Sequence, residues 1–224
     1  MKVADLLEIT RVDLDDQVEP YLWGNTELIE AAADAEYEAC RRARLLIDSS
    51  TAAVCQITVT VAEPLYALDD RVLFIRRAKM GLDERPLQRV SYRDLDAKVS
   101  GWEADTGAPT HYVTDFETGK VRLYPIPDTD DTLSMTVVRL PLIPLNDVSL
   151  TLNATPEIKL HYHRSLRFWM MHRAYSKPDA DAMDKGKAAE NLDKFEAEFG
   201  KKSSAIDEEW IEREQSADSY DGTF

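Results

Sequence analysis

The chain has 224 residues, 44% hydrophobic and 31% charged, and its 27 basic and 42 acidic residues leave a net charge of −15. That length supports one large domain or two small ones with an ordinary hydrophobic core. A charge of this sign and size disfavours tight binding to a nucleic-acid backbone.

The acidic excess sits at the two ends: residues 1–50 and 176–224 each carry −7, and residues 51–175 carry −1. No apolar run approaches the ~20 residues that a membrane helix requires. Met1-Lys2-Val3-Ala4-Asp5 has no signal-peptide character. Cys40 and Cys55 are the only cysteines. Their spacing fits no metal knuckle, so both are expected to be reduced core residues of a protein that folds in a reducing cytoplasm.

Taken in chain order, Val3, Leu6, Leu7, Ile9 and Val12 mark a short amphipathic segment. A connector from Asp13 to Trp23 follows, broken by Pro20 and closed by Gly24. Asn25 is the expected N-cap of a long helix over Thr26–Asp48. Its stripe, Leu28, Ala32, Ala35, Ala39, Ala43 and Leu46, advances in steps of three and four. Small side chains bury little area but let another helix approach closely. The stripe is therefore expected to pack against another helix of the chain or against a neighbouring subunit.

From Thr51 the composition becomes β-branched. Strands are expected at Val54–Val61, Leu65–Leu68, Val72–Ile75, His111–Val113, Val121–Tyr124 and Leu133–Val138. A helical turn is expected at Asp94–Asp96, and a turn at Phe116–Gly119. Pro141 and Pro144 mark a crossover. Thr155-Pro156 then reads as an N-cap and first helical residue, opening a largely apolar helix to about Ser176. A last helix carries Ala182, Ala189, Leu192, Phe195 and Phe199 on one face and stops at Gly200. Ser203–Phe224 is acidic yet holds Ile206, Trp210, Ile211, Tyr220 and Phe224, which a solvated tail has little use for.

The expected fold class is α+β. N- and C-terminal helices form a bundle around a central antiparallel sheet or small β-sandwich, with an extended C-terminal tail. The expected parts are 1–50 (helical), 51–150 (β), 151–202 (helices completing the bundle) and 203–224 (tail).

Reactive chemistry finds no foothold in the pattern. No glycines are spaced for a phosphate-binding loop or a nucleophile elbow. His161 and His163 are two apart, so a helix turns them away from a shared ion, and His172 lies off that face. Asp128–Asp131 lacks the glycine and glutamate of a calcium loop. Asp179, Asp181 and Asp184 suit a helix N-terminus electrostatically. Nothing indicates a metal, a cofactor or an enzyme.

The combination of segments resembles the head-to-tail adaptor proteins of tailed bacteriophages. Asp15-Asp16 through Pro20-x-x-Trp23 to Asn25-x-x-Leu28-Ile29 is similar to the opening of that family. Gly101-Trp102-Glu103, then Thr106-Gly107-x-Pro109-x-x-Tyr112, resembles its central sheet, as does Gly119-Lys120-Val121-Arg122-Leu123-Tyr124-Pro125-x-Pro127-Asp128. Pro156-Glu157-Ile158 with Tyr162-His163 looks like the start of its later helix.

The resemblance extends over about residues 1–200. It implies a non-enzymatic virion protein of the neck, assembled in the host cytoplasm as a homo-oligomeric ring of twelve. Its partners would be the portal protein and the tail or nozzle proteins, with no membrane involved. Double-stranded DNA would pass the ring without tight binding. The tail residues Ile206, Trp210, Ile211, Tyr220 and Phe224 would dock on the portal, or else fold back on the chain's own helices. Two other classes stay open on the residues alone: a β-sandwich binding module of another tail component, and a carboxylate-dependent hydrolase.

Overall fold

A computed structural model of the chain describes residues 1–81, 84–147, 151–178 and 182–204. The fold is mixed α+β, with two compact units. One is built from Met1–Leu46 and Leu140–Lys202, and the other contains Ile47–Arg139.

The first helix, α1 (Val3–Leu14), buries Val3, Leu6, Leu7 and Leu14. The Lys2 amide donates to the Asp5 carboxylate at 2.8 Å, so an acid in the first turn satisfies one of the free N–H groups there. Val12, expected on the apolar face, is exposed, and Thr10 and Arg11 are buried instead. The second helix, α2, runs Asn25–Ala43 and ends at Arg44, which adopts a left-handed conformation with φ 52°. It is therefore shorter than the expected Thr26–Asp48, because Leu46–Asp48 forms strand β1. Asn25 is also not the cap. Gly24 holds that position, and the Asn25 side-chain oxygen accepts from Arg11 Nη2 at 2.7 Å.

The second unit follows. A single helical turn, α3 (Ala52–Cys55), precedes β2 (Gln56–Val59), so the strand expected from Val54 starts two residues late. The cause lies upstream: the Asp48 carboxylate accepts from the backbone N–H groups of Ser50 and Thr51 and turns the chain there. Strands β3 (Leu65–Ala67) and β4 (Val72–Met80) come next. Then β5 (Pro86–Arg89) appears, a strand with no sequence expectation behind it. Helix α4 (Tyr92–Lys98) is capped by Ser91, whose Oγ accepts from the Arg93 amide at 3.3 Å. The remaining strands are β6 (Thr106–Gly107), β7 (His111–Val113), β8 (Lys120–Tyr124), β9 (Ile126–Pro127) and β10 (Asp131–Arg139).

The main sheet has the order β1-β10-β4-β5-β7-β8-β3, and β2 also pairs with β10. Pairing is antiparallel for β2, β3, β4, β5, β8 and β10, and the one described parallel contact in this sheet is β5 with β7. A separate parallel pair joins β6 and β9.

Back in the helical unit, no helix begins at Thr155-Pro156. A 3-10 segment spans Leu160–Ser165 and leads into α5 (Leu166–Tyr175). The signal at Thr155-Pro156 is overridden because the Glu157 and Ile158 amides donate to the Glu36 carboxylate instead of entering a helix. The last helix, α6 (Lys185–Phe199), is capped by Asp184, whose carboxylate accepts from the Lys187 amide at 3.0 Å. Gly200 ends it at φ 86°, a conformation that favours glycine. Its inner face is Ala188, Asn191, Phe195 and Phe199, whereas Ala189 is exposed and Leu192 half-buried. Helices α1, α2, α5 and α6 pack on one another around a shared apolar core.

Candidate functional site

Leu28, Ala32, Ala35 and Ala39 are at most 1% exposed and lie in the core of the helical unit. Small side chains on α2 let α5 lie close along it. Ala43, the last residue of α2, is exposed. Arg42 ties the same helices together from the side. Its guanidinium lies 5.1 Å from the Trp169 ring and 5.3 Å from the Phe195 ring, and it pairs with Glu38 and Glu196.

Buried polar side chains define the framework further. Arg11 donates to the Asp16 carboxylate at 2.6 Å, to the Trp23 carbonyl at 2.9 Å and to Asn25. Asp16 also accepts from the Leu22 and Trp23 amides at 2.8 and 3.3 Å. Trp23 in turn donates from Nε1 to the Ala174 carbonyl and stands edge-on to Tyr175. The connector between α1 and α2 is thus pinned at its base by charge-assisted bonds, which are stronger than neutral ones.

Glu36 is 1% exposed and sits within the alanine stripe. One of its oxygens accepts from the Glu157 amide at 2.6 Å and the Ile158 amide at 3.4 Å, while Oε2 has no hydrogen-bond partner among the described residues. Glu157 passes the tether on, accepting from the Leu142 and Ile143 amides. Burial pushes the Glu36 carboxyl up from 4.5 to about 7, with the two amide bonds opposing and the nearby Glu157 charge reinforcing the shift. A folded-state value above the unfolded one gives stability that is complete below about 4.5 and lost as pH rises through about 7. Glu36→Gln keeps the acceptor oxygen and removes the charge. Between about pH 5 and about pH 8 the parent should lose roughly 2–3 kcal/mol more unfolding free energy than this variant. Urea titrations of both proteins at the two pH values would check this, and parallel pH dependences would refute it.

The β unit is closed by a second ion pair. Asp48, near the start of the Ile47–Arg139 span, accepts from Arg139 Nε at 2.7 Å at the end of that span. Burial works to raise the Asp48 carboxyl, but bonds from Ser50, Thr51 and Arg139 outweigh it and hold the group well below the usual carboxylate range. Farther along, Trp102 packs edge-on against Phe116 and Tyr124. Arg122 lies 4.8 Å over Trp102 and donates to the Glu103 carbonyl, and burial lowers its pKa. Trp102 Nε1 donates to Asp96 at 2.8 Å.

The histidines serve the framework too. His163 Nε2 is 2.8 Å from the Ile158 carbonyl, and His172 Nδ1 is 2.9 Å from the Ala188 carbonyl. Among the described residues no group of three or more His, Cys, Asp or Glu is placed to hold a metal ion. No helix among them is long and apolar enough to cross a membrane. Cys40 and Cys55 are buried and not joined in a disulfide. Asp179, Asp181 and the tail residues Ile206, Trp210, Ile211, Tyr220 and Phe224 lie outside the described residues.

A family model described as SU10 adaptor protein matches residues 1–219. The chain belongs to that family. Comparison with curated proteins returns no match. For an adaptor-family chain the geometry around the resembling segments is informative. The Asp16…Trp23…Asn25 segment carries the Arg11 knot, Gly101–Glu103 and Gly119–Pro125 meet in the Trp102 cluster, and Pro156–Ile158 with His163 holds the Glu36 tether. The side chains that tie these segments together, Arg11, Asp16, Trp102 and Glu36, are buried.

Sequence reasoning missed Arg11, Glu36, Asp48, Arg122 and Arg139. Two of them left a signal. Glu36 is a lone acid at helical spacing among Ala32, Ala39 and Cys40, and Asp48-Ser49-Ser50-Thr51 is a run of side chains that bond their own backbone.

Proposed function

We propose that this adaptor-family chain is a structural ring subunit of a phage neck. About twelve copies assemble beneath the portal protein, link it to the tail or nozzle proteins and line the DNA exit path. The match over residues 1–219 carries the reading. The −15 charge supports it, since an acidic wall repels phosphates and limits sticking of the passing duplex. Assembly takes place in the host cytoplasm, and the role is scaffolding rather than catalysis.

The C-terminal segment supplies the portal contact in this account. Ile206, Trp210, Ile211, Tyr220 and Phe224 offer large apolar area, and anchors of that kind dominate many interfaces. Deleting residues 204–224 should leave the free subunit folded and abolish joining to portal-bearing heads. Joining that survives the deletion would remove the portal role from this segment.

A further inference from the structure

The surface feature that stands apart from these ties is a basic face on the β sheet. In the β4–β10 pairing, Thr136 lies opposite Arg77 and Val137 opposite Ile75, so β4 carries one extra residue, Arg76. Such a bulge sets two residues against one. Both Arg76 and Arg77 are exposed, and neither has a hydrogen-bond or ion-pair partner among the described residues. Lys79, two residues on, shares the face and, among the described residues, pairs with the exposed Glu84 at 3.7 Å. The positions opposite them and one strand farther, Thr136, Ser134, Thr132 and Thr58, supply hydroxyls and no carboxylate. In a chain with 42 acidic residues this is a donor-rich surface, with Lys79–Glu84 as its one described ion pair, and it suits an anionic partner.

The sequence holds a matching partner. Residues 205–224 contain seven acids and one base, Arg213, which concentrates −6 of the −15 net charge in one segment. Its densest part is Asp207-Glu208-Glu209-Trp210-Ile211-Glu212. We infer that this segment of the chain docks on its own Arg76–Arg77–Lys79 face in the free subunit. Carboxylates pair with the guanidinium groups, and the Trp210 ring offers an arginine a stacking surface. Tethering favours the chain's own segment over any other anion. A linked segment acts at an effective concentration near millimolar, whereas a second copy or a nucleic acid must bind from dilute solution, the latter against the net charge. Twenty residues can span up to ~70 Å, so chain length does not forbid the contact. The inference does not depend on the portal reading. If that reading also holds, docking keeps Ile206, Trp210 and Ile211 covered until assembly.

Arg213 provides the test, since it is the only lysine or arginine beyond Lys202. The measurement is the rate at which trypsin releases residues 214–224 from the full-length protein, compared with the variant R76Q/R77Q. At low salt the parent should be cleaved about ten-fold more slowly than the variant, because cleavage follows the undocked fraction. The difference should close at roughly 0.5 M salt and should not change on dilution. Should R76Q/R77Q fail to fold by circular dichroism, E208Q/E209Q gives the same comparison from the other side. Equal rates in parent and folded variant at low salt would overturn the proposal. Protection that falls on dilution would assign the face to a second copy and overturn it too. Duplex DNA that binds the parent, but not R76Q/R77Q, at physiological salt would likewise reassign the face.

Discussion

Asp48→Ala is expected to lower the unfolding free energy of the β unit by about 3–5 kcal/mol. The carboxylate is buried and accepts from the Ser50 and Thr51 amides, both of their hydroxyls, and Arg139. Truncation strips all five bonds and leaves the buried Arg139 guanidinium without this carboxylate. It also removes the closure between residues 91 apart, so it acts on both ends of the Ile47–Arg139 span. Asp48→Asn keeps an acceptor for the two amides but loses the charge facing Arg139, and its cost should be intermediate. The pH dependence separates charge from shape. A depressed folded-state pKa gives stability that is complete above about 4 and lost as pH falls further, so the parent should have the steeper acid limb. Guanidinium titrations followed by Trp102 fluorescence measure both effects. A loss below about 1 kcal/mol for the alanine variant would show that the pair is solvated and weak.

The helical unit should respond as strongly to Asp16→Ala, again by about 3–5 kcal/mol. Asp16 holds Arg11 and two connector amides at once, and Arg11 and Asp16 are 8% and 7% exposed. Once the acid is gone, Arg11 keeps the Trp23 carbonyl and Asn25 but loses its only opposite charge among the ion pairs of that knot. Trp23 should then loosen against Ala174 and Tyr175, because its own amide has lost an acceptor. The expected signature is a lower thermal midpoint together with quenched or shifted Trp23 emission. A lower midpoint with unchanged Trp23 emission would confine the damage to Arg11. An unchanged midpoint would remove the knot from the account of stability.

Local patterns reached some of this fold, and tertiary carboxylates set the limit. The hairpin through Phe116–Gly119, the turn of α4 and the Gly200 stop of α6 were legible because each is decided by residues a few positions apart. The end of α2 was not, since Leu45, Leu46 and Ile47 continue an apolar pattern that the sheet captures as β1. Nor was the fate of Thr155-Pro156, whose helix-starting chemistry loses to Glu36, 121 residues earlier than Glu157. The half-formed strand at Val54 failed for the same reason, with Asp48 claiming the amides that precede it. Of the residues singled out for packing, Leu28, Ala32, Ala35 and Ala39 are buried within the chain's own helices, and Ala43 is at the surface. The aromatic residues of the C-terminal segment carry a sequence signal, Trp210 beside Ile211 among acids, that local geometry alone could not convert into a partner.

The central claim is that this adaptor-family chain forms a ring on a portal. Electron microscopy of the purified full-length protein, alone and mixed with its portal protein, tests it most directly. The account predicts closed rings of about twelve copies seated coaxially on the portal, with an open central channel. Particles that stay monomeric and leave the portal bare at micromolar concentrations of both proteins would contradict it.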